Sequence, residues 1–333
     1  MPRPVSDQVV VIVGASSGIG RASALAFAAR GAKVVCAARG VSALESLVEQ
    51  ITSAGGTAVA VPTDIAEPEA VRALAAAAEE RFGRIDTWVT TAAVGVWGRV
   101  EDISSEEFDR VMRVNVLGHV HGMHAALPAL RRAGGGGIIG VSSLEGVRSV
   151  PMQSPYAASK WAVRALYDTL RMELAAEGAP IAVTTILPAA IDTPFFEHSR
   201  SKVGAMPKPP PPVYAPEIVA DTIVHAAEHP RREVAVGGVA VGFVAGQRLS
   251  PALLDAVMSI PRLGVEEMTA DRPDNGTDNL DAPLDEPGQV HGSYSGQVLR
   301  RSVVTDLLKH VPRPGDLLTG ALSTIRRARS GTG

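Results

Sequence analysis

Tyr156 and Lys160 stand four residues apart in Ser154-Pro-Tyr-Ala-Ala-Ser-Lys160, the spacing that sets two side chains on one face of a helix. Pro151 and Pro155 ahead of the pair, and the apolar-periodic run from Trp161 to Leu174 behind it, predict that helix. A free phenol titrates near pH ~10 and is a poor base at neutrality. A cation held beside it favours the phenolate and brings the proton within reach of a substrate oxygen. Such a pair exchanges a proton with an alcohol or carbonyl oxygen. An amphipathic helix that carries both residues idly is the bland alternative, and the neighbouring residues decide between the two.

Ser143 follows the apolar run Ile138-Ile-Gly-Val141, which reads as a buried strand, and precedes Tyr156 by thirteen residues. Further upstream, Val9-Val-Val-Ile-Val13 is a β-branched run suited to a strand covered on both faces. Gly14-Ala-Ser-Ser-Gly-Ile-Gly20 turns that strand into a helix reaching about Arg30. Gly14 permits the tight turn, Gly18 lets a ligand approach backbone amides, and Gly20 lets helix and strand pack closely. The helix start then offers N–H groups and a positive dipole end to a pyrophosphate. At the end of the second strand, Lys33-Val-Val-Cys-Ala37, the chain reads Ala38-Arg39. An acid there would bind a ribose 2′-hydroxyl, whereas an arginine holds a 2′-phosphate. The sequence therefore predicts preference for NADP(H).

The order Gly-x-x-x-Gly-x-Gly, Ser-Ser-x-x-Gly, Tyr-x-x-x-Lys resembles the short-chain dehydrogenase/reductase family over about residues 8–240. The resemblance implies a doubly wound, mainly parallel, seven-stranded Rossmann-type sheet flanked by helices. It implies reversible hydride transfer between NADP(H) and an alcohol/carbonyl pair. Tyr156 would exchange the proton, Lys160 would lower its pKa and hold the nicotinamide ribose, Ser143 would orient the substrate oxygen, and Asn115 would support a proton relay. The cofactor would meet Gly14, Ser16, Ser17, Gly18, Ile19, Gly20, Arg39, Asp64, Ile65 and Ala92, then Tyr156, Lys160, Pro188, Ile191 and Thr193. Asp64 would take the adenine amino group. Two positions depart from the family pattern: Thr90-Thr-Ala-Ala93 stands where Asn-Asn-Ala-Gly is usual, and Ala189 replaces a glycine.

Asn115 falls in a helical stretch expected over Ser105 to Arg132, with His119, His121 and His124. Only His121 and His124 share a helical face, and no cysteine or acid completes a metal set, so no metal is expected. Val94, Trp97, Leu144, Met152, Phe195 and Phe196 suggest an apolar substrate pocket, with Phe195 through Pro212 forming a lid. The core domain is expected over 1–245. Residues 246–333 form an extension with an irregular or disordered Asp/Pro/Gly/Asn/Ser-rich segment at 271–296 and helical pieces from Leu307 to Ile325, ending in Arg326-Arg-Ala-Arg329. A net charge of −3 argues against nucleic acid as a partner. The single Cys36 fits a reducing compartment, and no leader or spanning segment is read, so a cytoplasmic protein without stable membrane insertion is expected. By family resemblance it would be a homo-oligomer, a dimer or tetramer. The competing class is a cofactor-binding sensor or assembly protein with little turnover, which assays of turnover against binding separate.

Overall fold

The computed structural model describes residues 2–260 and 269–310. Val9–Val13 forms β1 and is buried along its whole length, as a strand covered on both faces must be. Lys33–Ala38 (β2), Thr57–Pro62 (β3), Thr87–Thr90 (β4), Gly136–Val141 (β5), Ile181–Pro188 (β6) and Glu233–Val236 (β7) join it. They make one seven-stranded sheet in the order β3-β2-β1-β4-β5-β6-β7, parallel throughout. The chain thus leaves β1 toward β2 on one side and returns to β4 on the other. A crevice opens at that switch point, beyond the carboxyl ends of β1 and β4.

Helices α1 (Gly18–Ala28), α2 (Val41–Ser53), α3 (Pro68–Phe82), α4 (Ser105–Met112), α5 (Gly118–Arg132), α6 (Ser154–Glu177) and α7 (Pro216–Glu228) cover the sheet. Phe27 of α1, Leu44 and Leu47 of α2 and Ile223 of α7 pack on one face. Leu74 of α3, Ala126 of α5 and Val163 and Leu170 of α6 pack on the other. Trp88, on β4, is fully enclosed in this second layer.

The stretch expected as one helix over Ser105 to Arg132 is broken. A π-turn over Arg113–Leu117 separates α4 from α5. A π-turn inserts one residue into the helical repeat and re-aims the side chains that follow. Here it holds Asn115 fully buried, with its amide on the backbone of Val94.

Beyond the sheet, three short ribbons tie the later chain to the crevice rim. Val96–Trp97 pairs with Arg200–Ser201, Ala205–Pro207 with Thr269–Pro273, and Val213–Tyr214 with Val298–Leu299. Helices α8 (Gly238–Leu249), α9 (Pro251–Met258) and α10 (Val303–His310) follow β7. The expected helical pieces from Leu307 begin within α10; beyond residue 310 they, and Arg326–Arg329, lie outside the described residues. Residues 274–297 hold no helix or strand, whereas 271–273, the start of the segment expected to be irregular over 271–296, belong to the ribbon strand Thr269–Pro273 because they pair with Ala205–Pro207. This irregular segment nonetheless runs against the core.

Candidate active site

The Tyr156 helix starts where expected. Pro155 sits in its first turn, where a missing N–H costs nothing, and Gly178 closes it at φ 70°. Four residues of rise put Lys160 behind Tyr156, with Nζ 5.2 Å from the phenol ring centre. Nζ donates to the carbonyl of Val141 at 3.1 Å, which fixes the lysine to the end of β5. One residue on, Ser142 Oγ donates to the Lys160 carbonyl at 2.8 Å. Strand and helix are thereby stitched together, so Ser143 and Tyr156 face one space. Ser143 Oγ accepts from the Glu145 N–H at 3.1 Å and also bonds to the Tyr156 phenol.

Asn115 stands behind this group rather than in it. Its Oδ1 accepts from the Val94 N–H at 2.9 Å, while Nδ2 donates to the Val94 carbonyl at 2.9 Å and to Ser159 Oγ at 3.1 Å. Ser159 Oγ in turn donates to the Tyr156 carbonyl at 2.6 Å. The asparagine thus links the π-turn, the loop after β4 and the first turn of α6.

A cavity of about 490 Å³ runs from this cluster to the start of α1, a size ordinary for cofactor and ligand sites. The residues expected to meet the cofactor all line it. They comprise Gly14, Ser16, Ser17, Gly18, Ile19 and Gly20 in the glycine turn; Arg39, Asp64, Ile65 and Ala92 along one rim; and Tyr156, Lys160, Pro188, Ile191 and Thr193 on the other. Asn115 is the one predicted site residue outside the lining. Gly14 has φ 94°, and a Cβ there would sit 2.5 Å from the Ala92 nitrogen. A Cβ on Gly20 would lie 2.0 Å from the Gly14 carbonyl oxygen. The turn therefore needs these glycines, and it brings the start of α1 to the cavity, where the Gly18 N–H is given to the Gln289 carbonyl and the amides of Ile19 and Gly20 follow. That is a cradle fit for a pyrophosphate.

The departures at the end of β4 have local uses. Thr91 Oγ1 donates toward the carbonyls of Val13, at 2.9 Å, and Gly14, at 3.2 Å, and so braces the glycine turn. Ala93 needs no left-handed backbone, for Met152 is the one non-glycine residue with positive φ among the described residues. Arg39 is held by the carbonyls of Asn279 and Asp281, the latter at 3.2 Å. Asp64 accepts from the Ala66 N–H at 2.9 Å and from Arg110 Nη2 at 3.1 Å. Burial would raise its pKa, but these bonds and the Arg39 charge hold it below the ordinary value.

Of the expected apolar pocket, Val94, Leu144, Phe195 and Phe196 line the cavity. Phe195 packs on Tyr156 at 5.0 Å between ring centres. Trp97 is fully buried behind Phe196 instead, and Met152 spends its backbone on a hydrogen bond to Gly98. The three histidines are dispersed. His119 Nδ1 lies 2.9 Å from the Tyr167 hydroxyl, His121 Nδ1 meets the Ile65 carbonyl at 3.0 Å, and His124 is exposed.

Sequence reasoning missed Glu145. Its carboxyl is buried in the cavity wall beside Tyr156 and Lys160, with Gln153 as hydrogen-bond partner. The available signal was an acid two residues past Ser143, in a stretch otherwise apolar or small. Burial pushes the Glu145 carboxyl up to about 8, against the pull of Lys160. Burial likewise brings the Lys160 ammonium down to about 8, opposed by Glu145. The Tyr156 phenol moves up rather than down: burial and then the Glu145 charge raise it, and Ser143 works the other way. The simple expectation of a phenol acidified by its lysine omitted both the burial and the carboxylate.

A seven-stranded parallel sheet in this order, with Ser143, Tyr156 and Lys160 at its carboxyl edge, defines a Rossmann-type oxidoreductase. The family model for short chain dehydrogenases matches residues 8–204. An uncharacterized oxidoreductase of Bacillus subtilis, YxnA, is 40% identical over 275 residues, covering 82% of this chain and 77% of the relative. The bovine (Bos taurus) dehydrogenase/reductase SDR family member 7B is 35% identical over 69% of this chain and 73% of its own. Among solved structures, a short chain dehydrogenase/reductase from Burkholderia phymatum in complex with NAD superposes with TM-score 0.67 at 28% identity, covering 76% of this chain and 96% of that one. An alcohol dehydrogenase from Thermococcus sibiricus complexed with 5-hydroxy-NADP gives TM-score 0.61 at 29% identity, over 69% and 95%. The chain belongs to the short-chain dehydrogenase/reductase family.

Proposed function

We propose that this oxidoreductase interconverts an alcohol and a carbonyl group on a largely apolar substrate, with NADP(H) as its cofactor. The observation that carries the reading is the convergence of Ser143, Tyr156 and Lys160 on one cavity that continues to the glycine turn and Arg39. When bound, the nicotinamide supplies or accepts the hydride. The chain's own residues do the rest. Ser143 Oγ and the Tyr156 phenol hold the substrate oxygen, and the phenol gives up or takes the proton. Lys160, fixed by the Val141 carbonyl, holds the cofactor ribose and favours the phenolate. Asn115 keeps the first turn of α6 in place through Ser159 and supports the proton relay. Phe195, Phe196, Val94 and Leu144 offer the substrate an apolar wall.

Arg39 supports the choice of NADP(H), since it lies on the cavity rim and keeps N–H groups beyond the two given to carbonyls. The core domain proposed over 1–245 carries these residues, with 246–333 as its extension. No helix among the described residues is long and apolar enough to cross a membrane. Exposed Trp161 and Met172 on α6 and Phe108 on α4 support a homo-oligomer, and the single buried Cys36 supports a cytoplasmic setting. The test is oxidation of NADPH and of NADH across aldehydes, ketones and quinones. The expected result is turnover with at least a roughly tenfold preference for NADPH in kcat/KM, the worth of one charge-assisted contact. Ala38→Asp with Arg39→Ile should reverse the preference. Equal use of both cofactors would remove the NADP assignment and leave the hydride transfer standing. Binding of cofactor with no turnover on any carbonyl would point to the sensor class.

A further inference from the structure

The irregular segment 275–293 crosses the open side of the cavity. Its anchors alternate between the two rims of the crevice. Leu280 is inserted into the core with 1% exposure, and its carbonyl accepts from Arg110 Nε at 3.0 Å. On either side of it, the carbonyls of Asn279 and Asp281 take the Arg39 guanidinium. Arg200, on the far ribbon, pairs with the carboxylates of Asp278 and Asp281, each at 2.8 Å. Further along, Gly288 lies so close to the glycine turn that a Cβ would fall 1.9 Å from the Ser16 carbonyl oxygen. The next carbonyl, that of Gln289, accepts the Gly18 N–H at 2.8 Å. His291 then bridges Asp192 and Glu217, at 2.9 Å each.

Two features set this apart from a tail that merely packs on a surface. The segment bonds to both groups that the proposed function assigns to cofactor phosphates, the start of α1 and Arg39. It also spans the cavity without filling it, for about 490 Å³ remains between the sheet edge and a wall that includes Asn279, Leu284, Gly288 and Gln289. Main-chain carbonyls position Arg39 from outside while leaving part of its donor fork for a ligand. The fit at Gly288 is set by backbone against backbone, so a larger residue there lifts the segment without entering the sheet.

We propose that residues 275–293 form the outer wall of the dinucleotide site, a strap that opens to admit cofactor, closes over its phosphates and governs its release. Asn279, Asp281 and Gln289 are positioning residues in this arrangement, acting through Arg39 and the start of α1. The inference rests on the proposed use of a nicotinamide dinucleotide.

The test is amide hydrogen exchange on the full chain with and without saturating NADP⁺, with binding itself scored by calorimetry. Exchange over 275–293 should slow at least tenfold when NADP⁺ binds. Gly288→Val should speed NADPH release at least fivefold in stopped flow, with the urea midpoint of the full chain kept to separate this from general unfolding. Binding with unchanged or faster exchange in the strap overturns this inference alone, the faster case meaning that strap and cofactor compete. Unaltered release from a folded Gly288→Val variant overturns it as well. Failure to bind either NADP⁺ or NAD⁺ would sink the inference together with the functional reading, so the two failures are distinguishable.

Discussion

Glu145 shows how one buried side chain alters the proposed catalytic pair, Tyr156 and Lys160. A carboxyl raised from 4.5 to about 8 binds more proton in the folded chain than in the unfolded one across that interval. Stability therefore falls as pH rises through the same interval and levels off above it. Lys160, lowered from 10.5 to about 8, binds less proton when folded, so its contribution recovers as pH climbs from about 8 to 10.5. The two windows adjoin and have opposite signs. Glu145→Gln removes the first. Its unfolding free energy should gain on the wild type steadily from pH ~5 to pH ~8, by on the order of 2–4 kcal/mol at the upper end. Urea unfolding at several pH values checks this, and a constant difference would mean that the carboxyl stays ionised throughout. The proposed catalytic residues were legible because Tyr156, Lys160 and Ser143 differ in chemistry from the apolar positions around them. Glu145 was not legible in that way, since a lone acid in a sequence gives no sign of whether it faces water.

At the scale of elements, β1, the glycine turn and α1 announce themselves by a β-branched run, three glycines and a helical repeat. The seven strands and most helix bounds could be read from the same patterns. The π-turn at Arg113–Leu117 could not. It adds a single residue to an otherwise regular repeat, and what it achieves, the pairing of Asn115 with the Val94 backbone, is a tertiary contact. The departure at Thr91 is also explained only in three dimensions, because the Thr91 hydroxyl braces Val13 and Gly14 across the switch point. Thr91→Val keeps the shape and removes the donor. It should cost about 1–2 kcal/mol in stability and weaken cofactor binding several-fold by loosening the turn. Paired unfolding and calorimetric titrations check both effects, and a variant equal to wild type in each would show the brace to be idle.

For the whole molecule, the long-range organisation is two helical layers on one sheet, plus a tail that returns across the crevice. The sequence predicts irregular structure for 271–296 from composition, and composition carries no information on where an irregular segment lies. Leu280 differs in kind from the Asp, Asn and Pro around it: of the two leucines in the segment, Leu284 lines the cavity and Leu280 joins the buried core. Leu280→Ala should lower the unfolding free energy by about 2–4 kcal/mol, as for other buried leucines. Denaturant unfolding of the full chain measures it. A loss below about 0.5 kcal/mol, the range of surface substitutions, would place this part of the extension outside the cooperative fold. The proposed chemistry passes a proton through the Tyr156 phenol. It is tested most directly by steady-state turnover of Tyr156→Phe beside calorimetry of cofactor binding. A fall in kcat of about 10²–10⁴-fold is expected with cofactor affinity within a few-fold of wild type, and undiminished turnover in that variant would contradict a proton-transfer role for Tyr156.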